Sequence, residues 1–317
     1  MKKMNNTETI QGRIFNHTLS IKQVKNKESA NFGQDFINGT INVAIDEDGL
    51  SVIPVEYRFV KKTTSKGTPN KTYTTLMSII TDGKTWETDG KDAATKVKIT
   101  ASLGVNDFVN KDNEITSYKI NAGSFIDIIT KLPEVDKERH SFTVDILMTK
   151  ATLKEADGER IKEDYLVIKG AVFDFRGTLM PVELVVRNKN GIDAFQSLEP
   201  SNSNPVLNKV WGIINFHSET ETKVEETLFG EQNVTTYTKE NKEWLITGAN
   251  PEPYEFGDEA VLTVEEVQKA SQEREVYLAE VRKKHEDYIN SLKTPEPKSI
   301  DEQVINADTI KKSGFNF

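Results

Sequence analysis

The sequence predicts a mostly β chain, built as two small barrels or sandwiches in tandem and closed by an amphipathic helix and a flexible tail. Three observations predict it. A phrase occurs twice: Ile37 to Tyr57 and Ile168 to Leu184 both run Ile-x-Gly, an alternating apolar strand, a Gly turn and a second strand carrying Pro-Val-Glu. The glycines Gly39 and Gly170 are 131 positions apart and the prolines Pro54 and Pro181 are 127 apart, a period too long for a solenoid and right for duplicated domains. Short alternating segments separated by turn residues recur up to about residue 250, the spacing of small β modules. Beyond Pro251 and Pro253 the period changes to that of a helix.

Taken in order, Thr9 to Ile21 alternates with Ile10, Ile14 and Leu19 on one face. Phe36 to Ile45 and Leu50 to Val60 form a hairpin around Asp46-Glu47-Asp48-Gly49, residues that tolerate turn geometry. Lys61 to Lys71 is a polar loop, Tyr73 to Ile80 reads as a strand, and Trp86 stands in a polar stretch that reads as an exposed loop. Lys96 to Val105 and Ile115 to Ile120 are strands, and Ala122 to Leu132 is a strand or a short helix. The second module repeats the style with Ser141 to Thr152, Tyr165 to Phe175, Thr178 to Arg187, Val210 to His217 and Trp244 to Thr247. Ile192 to Leu198 is too short to assign, and Glu221 to Glu243 reads as a mobile hairpin arm. A second correspondence accompanies the phrase: Lys96-Val97 and Lys209-Val210 each open the strand that follows it. Thr263-Val264-Glu265-Glu266 is a capping box, after which Val264, Val267, Leu278, Val281, Tyr288 and Leu292 keep a three-four spacing interrupted by Ser271, Arg274 and His285. This helix packs on the β modules or receives a partner. The expected boundaries are 1–135, 136–250, 251–293 and 294–317.

Composition excludes much. The 317 residues contain no Cys, so disulfides, thiolate zinc sites and Cys nucleophiles are out. No apolar run is long enough to cross a bilayer, and Met1 to Ile10 has Lys2 and Lys3 without an apolar stretch, so a cytoplasmic protein is expected, with no membrane association. The four histidines share no metal-ligand spacing, and no phosphate-binding loop, dinucleotide fingerprint or nucleophile elbow occurs. No catalytic residue, metal or cofactor is expected, and the chain reads as a binding protein.

The net charge of −9 is uneven: residues 1–150 hold 21 Lys/Arg against 19 Asp/Glu, and residues 151–317 hold 20 against 31. Arg58 to Lys98 is the most basic stretch, with nine basic and four acidic residues, interleaved with Tyr57, Phe59, Tyr73 and Trp86. Single-stranded nucleic acid is held by such a mixture, bases stacking on aromatic faces while cations track phosphates. The candidate contacts are Arg58, Phe59, Lys61, Lys62, Lys66, Lys71, Tyr73, Lys84, Trp86, Lys96 and Lys98.

Lys96 to Ile126, KVKITASLGVNDFVNKDNEITSYKINAGSFI, resembles the later strands of single-stranded DNA-binding proteins with oligonucleotide-binding (OB) folds. The end of the chain resembles their partner-recruiting tails: Asp301, Glu302 and Asp308 precede Phe315 and Phe317, although Lys311 and Lys312 intervene. The whole is similar to phage-encoded single-stranded DNA-binding proteins with duplicated OB modules. The resemblance implies single-stranded DNA (or RNA) as ligand and a role in phage DNA replication or recombination in the host cytoplasm. It also implies replication proteins as partners of the helix or of Phe315 and Phe317. The rival expectation is a structural or assembly β protein of a virion.

Overall fold

The computed structural model describes residues 4–158, 163–225, 233–257 and 262–293. All eleven strands join one sheet, and a long helix follows them. The first series is β1 (Asn6–His17), β2 (Ser20–Gln23), β3 (Asp35–Ala44), β4 (Val52–Lys61), β5 (Lys96–Val109) and β6 (Ile115–Ile128). Helices α1 (Lys71–Asp82) and α2 (Trp86–Asp89) lie between β4 and β5. The pairings return to their start: β1 with β3, β3 with β4, β4 in parallel with β6, β6 with β5, and β5 with β1.

The second series repeats the order with β7 (His140–Lys154), β8 (Tyr165–Phe173), β9 (Leu179–Val186), α3 (Lys189–Ser197), β10 (Val206–Glu225) and β11 (Asn233–Ala249). Its pairings also close, β7–β8–β9, then β9 in parallel with β11, β11–β10 and β10–β7. The two rings meet where β1 pairs with β7. The repeated phrase falls on the second and third ring strands of each series. An added Cβ at Gly39 would strike the backbone at Thr18 and Leu19, just after β1, and one at Gly170 the backbone of β7 at Leu147. Both glycines permit the close crossing that bends each ring.

The alternation seen in sequence is the inside of these rings. Ile10, Ile14, Ile41, Val55, Val97 and Ile99 pack with Val144, Ile168, Leu184, Val210 and Trp244 in one continuous buried cluster. Tyr57 is fully buried, its ring lying over Gly123 of β6. In the turn after β3, Asp46 accepts hydrogen bonds from the Gly49 and Ser51 amides, both at 2.8 Å. Glu47 pairs with Arg13 and Lys91. The acidic run is therefore a turn, and no group of three or more His, Asp or Glu among the described residues could hold a metal.

Two expectations are corrected. Residues 73–80 are helical: Asn70 caps α1 by accepting from the Thr72 amide at 3.1 Å, and Thr72, Leu76 and Ile79 form its buried face. Their three-four spacing was masked by neighbouring apolar residues that mimic a strand. Residues 9–21 break into two strands. Residues 192–197, too short to assign from sequence, lie in α3, capped by Asn188 and followed by Leu198 as C-cap. Ala122 to Ile128 simply continues β6.

The capping box holds. Glu266 accepts from the Thr263 amide at 3.0 Å and Thr263 accepts from the Glu266 amide at 3.2 Å, opening α4 (Val264–Lys293). Val267 and Ala270 pack with Phe173, Leu207 and Leu262. Arg274, which seemed to interrupt the apolar seam, is the anchor: its guanidinium makes a bidentate pair with Asp107 of β5, and both side chains are buried. Ser117 of β6 joins them. No described helix is long and apolar enough to cross a membrane.

Candidate nucleic-acid interface

The outer face of β2, β3 and β4 gathers aromatics and cations. Lys22, Phe36 and Lys61 are directly opposite one another across the three strands, and opposed residues share a face. The next pairs on β3 and β4 are Ile37↔Val60 and Gly39↔Tyr57, so Asn38 faces both Arg58 and Phe59. This is a β-bulge. Phe59 absorbs the extra residue with φ 53°, a left-handed conformation costly for an aromatic residue. The bulge reverses the alternation: Tyr57 points into the core, while Phe59 is 42% exposed and stacks on Phe36 with ring centroids 4.6 Å apart. Tyr57 and Phe59 therefore do not share a face, contrary to strict alternation.

Around this pair, Lys61 donates to Asn31 at 3.4 Å, and Arg58 binds Glu56 Oε2 through both Nε and Nη2. Phe32, 53% exposed, lies in the loop between β2 and β3 together with Lys25 and Lys27. Lys62 is exposed beside the pair, and Lys66 stands in an exposed loop closed by the Thr63–Pro69 bridge. Lys22, Lys61 and Lys62 make no ion pair among the described residues.

The other expected contacts lie elsewhere. Lys71 pairs with Asp127 at 2.6 Å, and Lys96 donates to the Thr130 carbonyl at 3.4 Å. Lys98 is exposed on β5, and Tyr73 is half-buried against the core from α1. Lys84 is exposed before α2. Trp86 is corrected outright. It opens α2, is half-buried, and packs on Phe15 with centroids 6.1 Å apart and against the Gly49 turn. That turn lies beyond the end of β3 at Ala44, which is eight residues along the strand from Phe36, about 26 Å at 3.3 Å per residue. Phe315 and Phe317 lie outside the described residues. Sequence reading missed Lys22, Lys25, Lys27, Phe32 and Phe36, although residues 22–36 carry the same mixture of cations and aromatics as residues 57–71.

A second feature sits where the rings meet. A cavity of about 420 Å³ opens elsewhere beside α3, but the junction cavity of about 400 Å³ adjoins the Arg58 strand. Pro54 and Glu56 of β4, Tyr118 and Asn121 of β6, and Phe216, Lys242 and Trp244 of the second ring line it. Beneath it Glu8 of β1 is fully buried and accepts from the Trp244 indole N–H at 2.8 Å. Burial pushes the Glu8 carboxyl up to about 8, against the opposing pull of the Trp244 hydrogen bond and the Lys119 charge. Lys119 lies 4.3 Å from the Trp244 ring centroid and donates to the Glu183 carbonyl at 2.7 Å. Burial brings its amine down to about 8, while Glu183, Glu243 and Glu8 act the other way. Neighbouring Glu243 is held by Arg187 at 3.1 and 2.9 Å and by Asn215 at 3.1 Å.

Comparison with known proteins adds a family. The search of curated proteins found no match. Among solved structures the chain is similar to a deletion mutant of the single-stranded DNA binding protein from Thermus aquaticus, at 10% identity and a TM-score of 0.46, covering 81% of this chain and 98% of that one. The YorF family model matches residues 6–284, which span both strand rings and most of α4, and the chain belongs to the YorF family.

Proposed function

We propose that this protein binds single-stranded DNA without catalysing a reaction, through two OB-like modules in residues 1–135 and 136–250, with the first as the main binder. The observation that carries the reading is the Phe36–Phe59 pair, stacked on the solvent face and flanked by Lys22, Arg58 and Lys61. An OB barrel has five strands and binds oligonucleotides on the face of its second and third strands and on the neighbouring loops. In the first ring those strands are β3 and β4, and the loop before β3 carries Lys25, Lys27 and Phe32. A left-handed phenylalanine is a costly residue at a bulge, and its effect here is to turn a ring outward. Each base stacked on such a ring contributes about 1–3 kcal/mol, while unpaired lysines release counterions from phosphates.

The reading extends to a role in phage DNA replication or recombination in the host cytoplasm. Replication proteins would be recruited through α4 or through the tail containing Phe315 and Phe317. The test is fluorescence anisotropy with labelled oligo-dT at low and high salt, run beside oligo-rU to separate DNA from RNA. Binding that weakens steeply with salt and weakens by about 1–3 kcal/mol on Phe59→Ala supports the reading. No anisotropy change at micromolar protein refutes it and favours a structural role.

A further inference from the structure

We propose that the junction cavity is a nucleobase pocket that prefers bases carrying an exocyclic amine, cytosine, adenine and guanine, over thymine; this rests on the single-stranded DNA reading above. The cavity, about 400 Å³, is within the range of small-molecule sites, about 300–1,000 Å³. It continues the proposed binding face, because Glu56 is two residues from Arg58 on β4. Its aromatic walls come from both rings: Tyr118, 44% exposed, on β6, and Phe216 with Trp244 on β10 and β11.

The polar groups set the preference. Asn121 is only 2% exposed and lines the cavity. Its Nδ2 donates to the Pro54 carbonyl at 2.8 Å, which fixes the amide orientation, and its Oδ1 has no hydrogen-bond partner. A buried acceptor left unmade is costly, and a ligand N–H would recover that cost. Glu56 is the second acceptor on the wall, with both Arg58 bonds landing on Oε2. This carboxylate opposes a phosphate, so the group that enters is an uncharged base with N–H donors. Cytosine, adenine and guanine each present an amine to such a wall. Thymine presents one ring N–H flanked by two carbonyls, which would face the acceptors. Lys119 is already engaged with the Glu183 carbonyl and the Trp244 ring. Exposed Lys242 also lines the cavity, 5.8 Å from the Phe216 ring centroid.

The experiment makes Trp244 the sole tryptophan, with Trp86→Phe and Trp211→Phe in the full chain, and titrates oligo-dC and oligo-dT of equal length. The expected result is roughly fivefold tighter binding of oligo-dC, as for one net hydrogen bond, with a change in Trp244 emission. Asn121→Leu is expected to abolish the preference. Tyr118→Leu, at an exposed position, is expected to weaken oligo-dC more than oligo-dT. Equal affinities with unresponsive Trp244 emission would overturn the pocket alone. Failure of either oligonucleotide to bind would overturn the DNA reading and the pocket with it.

Discussion

The hairpins β3–β4 and β8–β9 carry the same phrase and present opposite surfaces. On β8–β9, Lys169 faces Glu183 directly across the strands and pairs with it, and Arg187 is held by Glu243 while lying 4.8 Å from the Tyr165 ring centroid. On β2–β3–β4, Lys22, Lys61 and Lys62 have no acidic partner among the described residues, and Phe36 and Phe59 stack outward. An exposed ion pair adds little stability, about 0–1 kcal/mol, but it cancels the local field. The duplicated hairpin thus exists once with its lysine neutralised, Lys169 by Glu183, and once with Lys61 outside any ion pair among the described residues, although Arg58 beside it is held by Glu56. An acidic chain can offer a phosphate-binding face because the field at that face, and not the total charge, is what a ligand meets.

The largest expected effect concerns a support that the first ring has in α4. Asp107→Ala leaves Arg274 buried without its partner and is expected to cost about 3–5 kcal/mol in denaturant unfolding. A cost below about 1 kcal/mol would mean that the helix does not brace the β5–β6 hairpin.

The next effect is at the contact between the rings. The folded Glu8 carboxyl, raised from 4.5 to about 8, binds its proton more tightly than the unfolded chain does, so its contribution to stability is present below about pH 4.5 and is lost as pH rises toward 8. Lys119, lowered from 10.5 to about 8, has the opposite sign and contributes a recovery between pH 8 and 10.5. Glu8→Gln is expected to flatten the first limb, a change of a few kcal/mol at roughly 1.4 kcal/mol per pH unit. A limb that persists in Glu8→Gln would assign the pH dependence to other groups.

Phe59→Ala is expected to weaken oligo-dT by about 1–3 kcal/mol, whereas Tyr165→Ala on the matching hairpin changes it little. Equal losses would erase the distinction between the two faces. The smallest effect is in the salt dependence. Lys61→Ala is expected to reduce the slope of log affinity against log salt by about 0.7, the value for one phosphate contact on a single strand, and Lys169→Ala to leave it unchanged.

Much of this comparison was legible in the sequence. The phrase around Gly39 and Gly170, the Asp46–Gly49 turn and the Thr263–Glu266 cap are local signals, and local signals survive without the fold. The bulge at Phe59 did not, because alternation says where a side chain should point and a single extra residue reverses it. Lys22 and Phe36 were missed because only strand pairing sets them beside Lys61. Trp86 has polar neighbours in sequence but packs on Phe15, an apolar neighbour from a distant strand. Arg274 read as a flaw in the helix because its partner Asp107 is 167 residues away. The junction cavity draws on strands from both rings, so no single segment announces it.

The central claim, that the first ring's face binds single strands and the second ring's matching face does not, is tested most directly by ultraviolet crosslinking of bromodeoxyuridine-substituted oligonucleotide followed by peptide mapping. The account predicts crosslinks at Phe32, Phe36 and Phe59. Crosslinks confined to residues 165–187, with none in residues 22–62, would contradict it.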